Sequence, residues 1–332
     1  MKALAIRRYK GAMEMMDLPR PEPGPGDLLV RVRAASVNPV DYKTRDGGVK
    51  VLLPNSFPLI LGHDLAGDVA AVGRGVTRFQ VGDAIYARLQ KDRIGAIAEY
   101  ALVSERVAAS KPRSLDYVEA ASLPLVGLTA WQALIDRAQL QAGQKVLIHA
   151  GSGGVGTFAI QLAKHLGAHV ATTASAKNHA LVRSLGAETV IDYKTTRFEE
   201  VAKDQDVVFD TQAGDTLLRS FDAVKAGGVV VTIGGRPDAK FARAWGLSLP
   251  LVWILGFLNR KVDRLARKKS VRFEYLLMHP SGEQLEKIGA LVDRGVIKPV
   301  VDKIYPLDAA AEALAYVESG RAVGKAVIRV AD

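Results

Sequence analysis

The stretch 145–156 runs a short apolar segment directly into a glycine-rich turn, and this junction restricts the fold more than any other feature of the chain. Three glycines have the G-x-G-x-x-G spacing, which is weak evidence alone in a chain with 31 glycines. Here the flanking residues support a nucleotide-binding turn. Residues 146–148 are typical of a buried strand, and apolar residues recur at helical spacing over 158–166. The sequence therefore predicts a strand, a tight turn and a helix.

A physical requirement explains each glycine of this turn. The first permits the turn, the second lets the backbone approach a pyrophosphate, and the third lets the helix pack closely on the strand. The phosphates would lie at the helix N-terminus, where free N–H groups and the helix dipole favour anions. The competing interpretation is a glycine-rich connection that binds nothing. The predicted phosphate-binding residues are Gly151, Ser152, Gly153, Gly154, Val155 and Gly156.

Length and composition indicate a globular protein of two domains. The chain has 332 residues, 48% of them hydrophobic and 24% charged. It has no cysteine, which excludes disulfides, thiolate zinc sites and catalytic thiols. No signal peptide is apparent, and the longest apolar run, 247–258, is too short to span a bilayer. We therefore expect a soluble, cytoplasmic protein without stable membrane insertion.

The formal charge of +10 is mostly spread over segments where basic and acidic residues alternate. The exception is 259–269, with six basic residues and one acid, directly after the apolar run. We favour an amphipathic helix that covers the protein's own sheet there, and a membrane-surface or partner contact is the alternative. No basic stripe is interleaved with aromatic residues, so nucleic-acid binding is not expected.

The element pattern changes near residue 120. Short β-branched segments separated by Pro and Gly clusters fill the first 120 residues and predict a mainly β domain. Strands and helices then alternate, which predicts a doubly wound parallel sheet over 121–300, an α/β arrangement. The last strand of that sheet is expected at 271–278. Residues 301–332 return to a strand, a helix and a strand that complete the first domain.

The residues about twenty positions beyond the glycine turn indicate which dinucleotide binds. An acidic residue there would favour NAD, but 171–177 contains none. Ser175 can donate a hydrogen bond and Lys177 supplies a positive charge for a 2′-phosphate, so NADP(H) is predicted. The competing interpretation of Lys177 is a solvated surface lysine. Tyr193 follows the third strand and is expected at the adenosine end, unless it merely covers the sheet edge.

With these residues in view, the chain resembles the medium-chain dehydrogenase/reductase superfamily, specifically its zinc-free quinone oxidoreductase (zeta-crystallin-like) branch. The local signatures lie at residues 36–41, 58–67, 95–100, 123–131 and 149–156. The resemblance implies a GroES-like catalytic domain at 1–120 with 301–332, and a Rossmann domain at 121–300. It also implies that Lys177 and Tyr193 discriminate NADPH, with Arg321 as a further match.

The resemblance also bears on metal binding. Alcohol dehydrogenase relatives hold a catalytic zinc with Cys, His and Cys, and the matching positions here are Asn38, His63 and Leu125. A catalytic zinc needs about three protein ligands, so His63 alone cannot hold it. We therefore expect no metal and a hydrogen-bonded His63, with direct proton transfer by His63 as an alternative.

Without a Lewis acid, a conjugated acceptor is the expected substrate, because the charge delivered with hydride spreads onto its oxygen. We expect reduction of a quinone, or of an enone or enal, by NADPH. Asn38 and Lys43 are candidate donors to the developing oxyanion, and Tyr42 is a further candidate. The competing interpretation of Lys43 is a surface lysine without a catalytic role. Many quinone reductases have a tyrosine at the position of Lys43, and the lysine here resembles the alkenal/one reductases. Thr129 and Gly234 are expected near the nicotinamide.

Two other functions are consistent with the same sequence. An enoyl-thioester (enoyl-CoA) reductase shares the fold and the hydride chemistry. A catalytically silent NADPH-binding or structural protein is an alternative of another class. The apolar strand at 271–278 predicts a homodimer, because an exposed edge of that composition would pair with another chain.

Overall fold

The computed structural model describes residues 1–51 and 56–331. The chain forms two compact units. The amino-terminal unit comprises Met1–Leu128 with His279–Asp332, and the central unit comprises Thr129–Met278.

The strands and helices follow the expected order closely. The strands are β1 Lys2–Ile6, β2 Glu14–Asp17, β3 Asp27–Ser36, β4 Leu59–Ile60, β5 Asp64–Val72, β6 Ala84–Arg88, β7 Tyr100–Ser104, β8 Ala108–Ser110, β9 Lys145–Ile148, β10 His169–Ala174, β11 Thr189–Asp192, β12 Gln205–Asp210, β13 Val224–Thr232, β14 Arg272–Tyr275, β15 Val301–Pro306 and β16 Lys325–Arg329. The α-helices are α1 Pro39–Arg45, α2 Tyr117–Ala121, α3 Pro124–Trp131, α4 Gly154–His165, α5 His179–Ser184, α6 Phe198–Val201, α7 Gly214–Ala223, α8 Ala239–Ala244, α9 Leu249–Lys268, α10 Gly282–Asp293 and α11 Ala310–Glu318. A π-helical turn, Gln132–Arg137, follows α3, and short 3₁₀ turns lie at Ala176–Asn178 and Leu307–Ala309.

The amino-terminal unit is built mainly of antiparallel strands. Its larger sheet has the order β15-β16-β3-β5-β6-β8, with β7 also paired to β3, and its smaller sheet has the order β2-β1-β4. Strand β3 is central to the larger sheet and pairs antiparallel with β16, β5 and β7. Its inner side joins one apolar core that also takes in α11 residues such as Leu314. The carboxyl end of β3 therefore delivers the following residues, from Val37, to a buried position.

The central unit contains a six-stranded sheet of order β11-β10-β9-β12-β13-β14, with every neighbouring pair parallel. Strand β9 lies between β10 and β12, and Leu147 is in register with Ala171 and Val208. Val146, Leu147 and Ile148 are fully buried, as their unbroken apolar run predicts. This is the doubly wound Rossmann order, so the expected α/β fold with a GroES-like part is confirmed.

The unit boundaries differ from the expected boundaries at 120 and 300. Helix α10 belongs to the amino-terminal unit because its start packs directly on β8. A Cβ on Gly282 would lie 2.3 Å from the Ala108 carbonyl oxygen. The Tyr86 hydroxyl, within β6, donates a hydrogen bond to the Leu285 carbonyl oxygen. These contacts join residues far apart in sequence, which local patterns do not reveal.

Two elements near the end of the central sheet also differ from expectation. Strand β14 has four residues, Arg272–Tyr275, where eight were expected. Helix α9 covers the sheet only in part, because Val262 and Ala266 join the core while much of its apolar first half is exposed. Among the described residues, no helix is long and apolar enough to cross a membrane.

Candidate active site and cofactor site

In the amino-terminal unit, Asn38 connects β3 to α1 and starts the helix. Its backbone N–H donates a hydrogen bond of 2.6 Å to Asp41 Oδ2, and Pro39 occupies the first helical position. Proline is favoured there because that position needs no N–H donor. Asp41 therefore fixes the first turn of α1.

The Asn38 side chain is buried and has partners on both of its polar atoms. Its Nδ2 donates to Asp64 Oδ2 at 2.9 Å, and its Oδ1 accepts from Lys325 Nζ at 2.5 Å. Only 1% of the residue is exposed. The amide is therefore bonded within the protein, where it links the ammonium group of Lys325 to the carboxylate of Asp64.

Lys325, the first residue of β16, carries a buried ammonium group. Besides Asn38, its Nζ donates to the Val37 carbonyl oxygen at 2.8 Å and lies 3.9 Å from Asp64 Oδ2. Burial lowers the pKa of Lys325, and the carboxylates of Asp64 and Asp41 oppose that shift. Two hydrogen-bond acceptors and a nearby carboxylate around this cation offset much of its desolvation.

Asp64 is the matching anion, at the start of β5. It accepts hydrogen bonds from Ser36 Oγ at 3.2 Å, from Asn38 Nδ2 and from the Leu125 N–H at 3.1 Å. Burial raises the pKa of Asp64, while the Lys325 charge and the Asn38 hydrogen bond act against the rise. A carboxylate with three donors is the expected form for an acceptor-only group.

His63 lies beside this cluster and is fully buried. Its Nδ1 is 2.5 Å from Asp41 Oδ1, so the carboxylate orients the ring. In the ranges 1–51 and 56–331, Nε2 of His63 has no hydrogen-bond partner.

The three positions expected to correspond to zinc ligands thus have other partners. Asn38 is bonded to Lys325 and Asp64, His63 to Asp41, and the Leu125 backbone to Asp64. Within the part of the chain that the structure describes, no three His, Cys, Asp or Glu side chains are grouped so as to hold a metal ion.

Helix α1 is held at both ends and carries two of the expected catalytic residues. Arg45, in its last turn, donates to Asp46 at 2.9 Å and to Glu318 at 3.0 Å. Tyr42 is half-buried, and burial together with the negative charge of Glu318 raises the pKa of its phenol. Lys43 is exposed.

In the central unit, the glycine turn joins β9 to α4 through contacts that leave no room for a side chain at Gly151 or Gly156. A Cβ on Gly151 would lie 2.1 Å from Thr172 Oγ1, and one on Gly156 would lie 2.3 Å from the Ala150 carbonyl oxygen. A Cβ on Gly153 would be 3.3 Å from that oxygen, which is tight but tolerable. Gly151 and Gly156 are therefore required by packing, and Gly153 much less so.

A buried histidine supports this turn. The Ala150 N–H donates to Thr173 Oγ1 at 3.0 Å, and Thr173 Oγ1 is 3.3 Å from His149 Nδ1. The other ring nitrogen, Nε2, is 3.1 Å from Ser220 Oγ, whose own proton goes to the Thr216 carbonyl oxygen. Burial, reinforced by the Arg219 charge, lowers the pKa of His149 to about 3. The imidazole is therefore neutral, with Nε2 as donor and Nδ1 as acceptor.

The residues expected to select the cofactor follow β10. Ser175 is buried, and Lys177 is exposed on the 3₁₀ turn Ala176–Asn178. Asn178 Nδ2 donates to Ser152 Oγ at 2.9 Å and lies 3.4 Å from Ser175 Oγ. Asn178 thus ties the glycine turn to the end of β10. Tyr193, directly after β11, is 59% exposed.

The loops after β12 and β13 are also fixed by hydrogen bonds. Asp210 Oδ2 accepts from Thr232 Oγ1 at 2.7 Å, and Thr232 Oγ1 accepts from the Gly234 N–H at 3.1 Å. A Cβ on Gly234 would lie 2.8 Å from the Ala213 Cβ, so the close approach of these loops explains that glycine.

Two further expected cofactor residues lie elsewhere. Thr129 is buried within α3. Arg321 is exposed in the amino-terminal unit, where its Nε donates to Ser319 Oγ at 3.1 Å.

Several residues of these two sites were not predicted from the sequence. They are Asp64, Lys325, His149, Asn178 and Asp210. Asp64 and His149 lie inside two of the family signatures, so the signal was present. Lys325 is 287 residues from Asn38 in sequence, and no local pattern connects them.

Comparison with known proteins identifies the family. Residues 24–113 match the alcohol dehydrogenase GroES-like domain, and 185–328 match the zinc-binding dehydrogenase domain. The chloroplast envelope quinone oxidoreductase homolog of Arabidopsis thaliana is 35% identical, over 99% of this chain and 98% of that protein. The chain belongs to the medium-chain dehydrogenase/reductase superfamily. It is an oxidoreductase.

Two further relatives of this oxidoreductase agree. The chloroplastic NADPH-dependent alkenal/one oxidoreductase of Arabidopsis thaliana is 34% identical, over 99% of this chain and 79% of that protein. The solved structure of the quinone oxidoreductase from Coxiella burnetii is 35% identical, with a TM-score of 0.87 and 99% coverage of both chains. The expected quinone oxidoreductase branch is thereby confirmed.

Proposed function

We propose that this oxidoreductase reduces a quinone, or an α,β-unsaturated ketone or aldehyde, with NADPH and without a metal ion. The observation that carries the proposal is the bonding of Asn38. Its amide joins Lys325 to Asp64 at a position where zinc-dependent relatives have a thiolate ligand. The names of the quinone and alkenal/one oxidoreductase relatives support the same acceptor classes.

The bonding of this cluster argues against metal-assisted chemistry. An amide that already bonds Lys325 and Asp64, with an ammonium group beside it, provides poor surroundings for Zn²⁺, which takes thiolate, imidazole or carboxylate ligands. His63 is the single imidazole among the three corresponding positions. Without a Lewis acid, an acceptor that spreads charge by conjugation is the better substrate.

The central unit fits a dinucleotide with a 2′-phosphate. The turn at Gly151 and Gly156 brings the start of α4 against β9, so the first-turn N–H groups of the helix can hold a pyrophosphate. Ser175 and the exposed Lys177 would hold the 2′-phosphate, and no acid at 171–177 repels it. When bound, NADPH supplies the hydride from C4 of its nicotinamide ring.

Negative charge develops on the oxygen of the acceptor as its carbon–carbon π bond is reduced, and a cation or hydroxyl donor then lowers the barrier. Lys43 is our candidate for this donor and for the proton that completes the reduction. Tyr42, with its raised pKa, is a neutral hydroxyl donor on the same helix. In this proposal Asn38 and His63 act as positioning residues, because the buried cluster fixes the start of α1.

The direct test is NADPH and NADH oxidation with a panel of quinones, enals, enones and crotonyl-CoA. We expect turnover with quinones or free enones, and a higher kcat/KM for NADPH than for NADH. Turnover confined to crotonyl-CoA would favour an enoyl-thioester reductase. NADPH binding without turnover of any acceptor would favour a silent binding protein, and either result would reject the proposal.

We also propose a homodimer through β14. In the described ranges, this strand pairs with β13 alone, so its outer edge presents unpaired backbone groups. Pairing of two such edges around a twofold axis would satisfy them. A monomeric mass in light scattering at micromolar concentration would contradict this. A cytoplasmic location stays a prediction, since the two Arabidopsis relatives have chloroplast names.

A further inference from the structure

The outward face of α9 divides into an apolar half and a basic half. Six large apolar residues at its first half are exposed, and Trp253 is the most exposed of them, at 77%. The six are Leu249, Leu251, Trp253, Ile254, Phe257 and Leu258. The segment 259–269 that follows contains six basic residues and one acid. A patch of this kind on a folded protein indicates a binding surface.

The orientation of α9 is fixed by its inner face. Val252, Asn259, Val262 and Ala266 are buried, and they recur at helical spacing along the whole helix. Asn259 Nδ2 donates to the Pro237 carbonyl oxygen at 2.7 Å, which locks the helix about its axis. Turning Trp253 inward would expose Val262 and Ala266, which belong to the core of the central unit. The apolar half is therefore exposed because of how the helix is held.

The basic half continues directly from the apolar half on the outer side. The Arg260 guanidinium lies 4.1 Å from the ring centroid of Phe257, so the two halves adjoin. Arg260, Lys261 and Arg264 are exposed, while the one acid, Asp263, is half-buried. The face thus offers apolar side chains, a tryptophan and a row of positive charges.

We propose that this face of α9 docks on an anionic lipid bilayer surface. Such a surface takes up apolar and tryptophan side chains at the boundary of the acyl chains and attracts adjacent Lys and Arg side chains. A second copy of this chain fits less well, because the basic half of α9 would then face a chain whose own net charge is +10. The docking is peripheral and independent of the proposed reaction.

The test is co-sedimentation of the full chain with vesicles of phosphatidylcholine alone, or of phosphatidylcholine with about one third phosphatidylglycerol. We expect binding to the anionic vesicles at about 0.1 M salt and its loss at about 0.5 M. The double variant Trp253→Ser/Phe257→Ser should bind at least about tenfold more weakly. The double variant Arg260→Gln/Lys261→Gln should lose the preference for anionic vesicles.

The matched control is Val81→Ser/Ile304→Ser, which removes two exposed apolar side chains outside α9 and should bind like the wild type. Circular dichroism and urea unfolding are used to check that each variant is folded. Equal binding to neutral and anionic vesicles, or wild-type binding by the α9 variants, overturns the proposal. The proposal is also overturned if the wild-type chain stays in solution as a dimer while Trp253→Ser/Phe257→Ser is a monomer. That result would assign the face to a second copy. None of these results depends on NADPH oxidation.

Discussion

The buried ammonium group of Lys325 donates a hydrogen bond to the side-chain oxygen of Asn38, although the two residues are 287 positions apart in sequence. Strands β16 and β3 are antiparallel neighbours, with Val327 in register with Ser36, which brings the start of one strand to the end of the other. The hydrogen bond therefore joins the last strand of the amino-terminal unit to the residue that caps the start of α1.

Loss of this ammonium should destabilise the protein. In Lys325→Met, Asp64 remains buried without the cation that lies 3.9 Å from it, and we expect the free energy of unfolding to fall by about 3 kcal/mol. Urea unfolding measures this. The control Lys287→Met breaks an exposed pair with Glu283, 2.7 Å apart, and should change the free energy of unfolding far less. Similar losses in both variants would contradict a structural role for the buried pair.

Lys43 should matter for turnover and not for folding. It is exposed, so Lys43→Ala should leave the urea midpoint unchanged. We expect kcat/KM with an enone to fall by more than about tenfold, because a donor to the developing oxyanion is lost. Lys2→Ala, an exposed lysine of the same unit, is the control. A change within about twofold in Lys43→Ala would remove Lys43 from the mechanism.

Lys177 should discriminate between the two nicotinamide cofactors. Lys177→Ala removes the positive charge proposed to face the 2′-phosphate, so the KM for NADPH should rise by about tenfold or more. The KM for NADH, which lacks that phosphate, should not change. Lys164→Ala changes an exposed lysine in the last turn of α4, at the opposite end from the glycine turn, and is the control. Equal effects on both cofactors would argue against this role.

Two glycines of the turn should respond differently to alanine. Gly156→Ala places a Cβ 2.3 Å from the Ala150 carbonyl oxygen and should lower the free energy of unfolding by about 1–3 kcal/mol. Gly153 has an extended backbone that alanine can adopt, so Gly153→Ala should fold normally. Its methyl group should nevertheless weaken cofactor binding by obstructing the pyrophosphate. Calorimetric NADPH titration and urea unfolding separate the effects, and the reverse pattern would refute the assignment.

His149 should make stability depend on pH. Its pKa is about 3 when folded and 6.5 when unfolded, so between these values the unfolded chain binds the extra proton. Stability is therefore lost as pH falls, by about 2 kcal/mol from this group between pH 7 and pH 5. His149→Gln should lose about 2 kcal/mol less over that interval. His165→Gln, at an exposed histidine, should lose as much as the wild type.

The sequence predicted the parallel sheet well because its evidence is local. An unbroken apolar run such as 146–148 and the glycine spacing beside it both lie within a dozen residues, and the strand and helix formed as expected. It predicted an amphipathic helix over 259–269 that covers the protein's own sheet, and Val262 and Ala266 do join that core, but it did not predict that the apolar half before them is exposed. Periodicity reports that a helix has an apolar face, but not whether a second apolar surface remains uncovered.

The candidate site residues were also identified from local sequence patterns. Ser175 and Lys177 follow from their distance to the glycine turn, and Asn38 and His63 were identified through their family signatures. The partners of these residues were not predicted. Asn178 bonds Ser152 across 26 positions and Asp64 bonds Asn38 across the same distance, and such pairs depend on which strands adjoin.

By itself the sequence determined the glycine turn, the class of cofactor it can hold and the absence of thiolate ligands, because spacing and composition decide these properties. Only the tertiary structure decided that Lys325 meets Asn38 and Asp64, that His149 is neutral beneath the turn, and that Trp253 faces outward. The physical reason is that burial and hydrogen-bond partners arise from strand order and packing, which bring together residues that no local pattern relates.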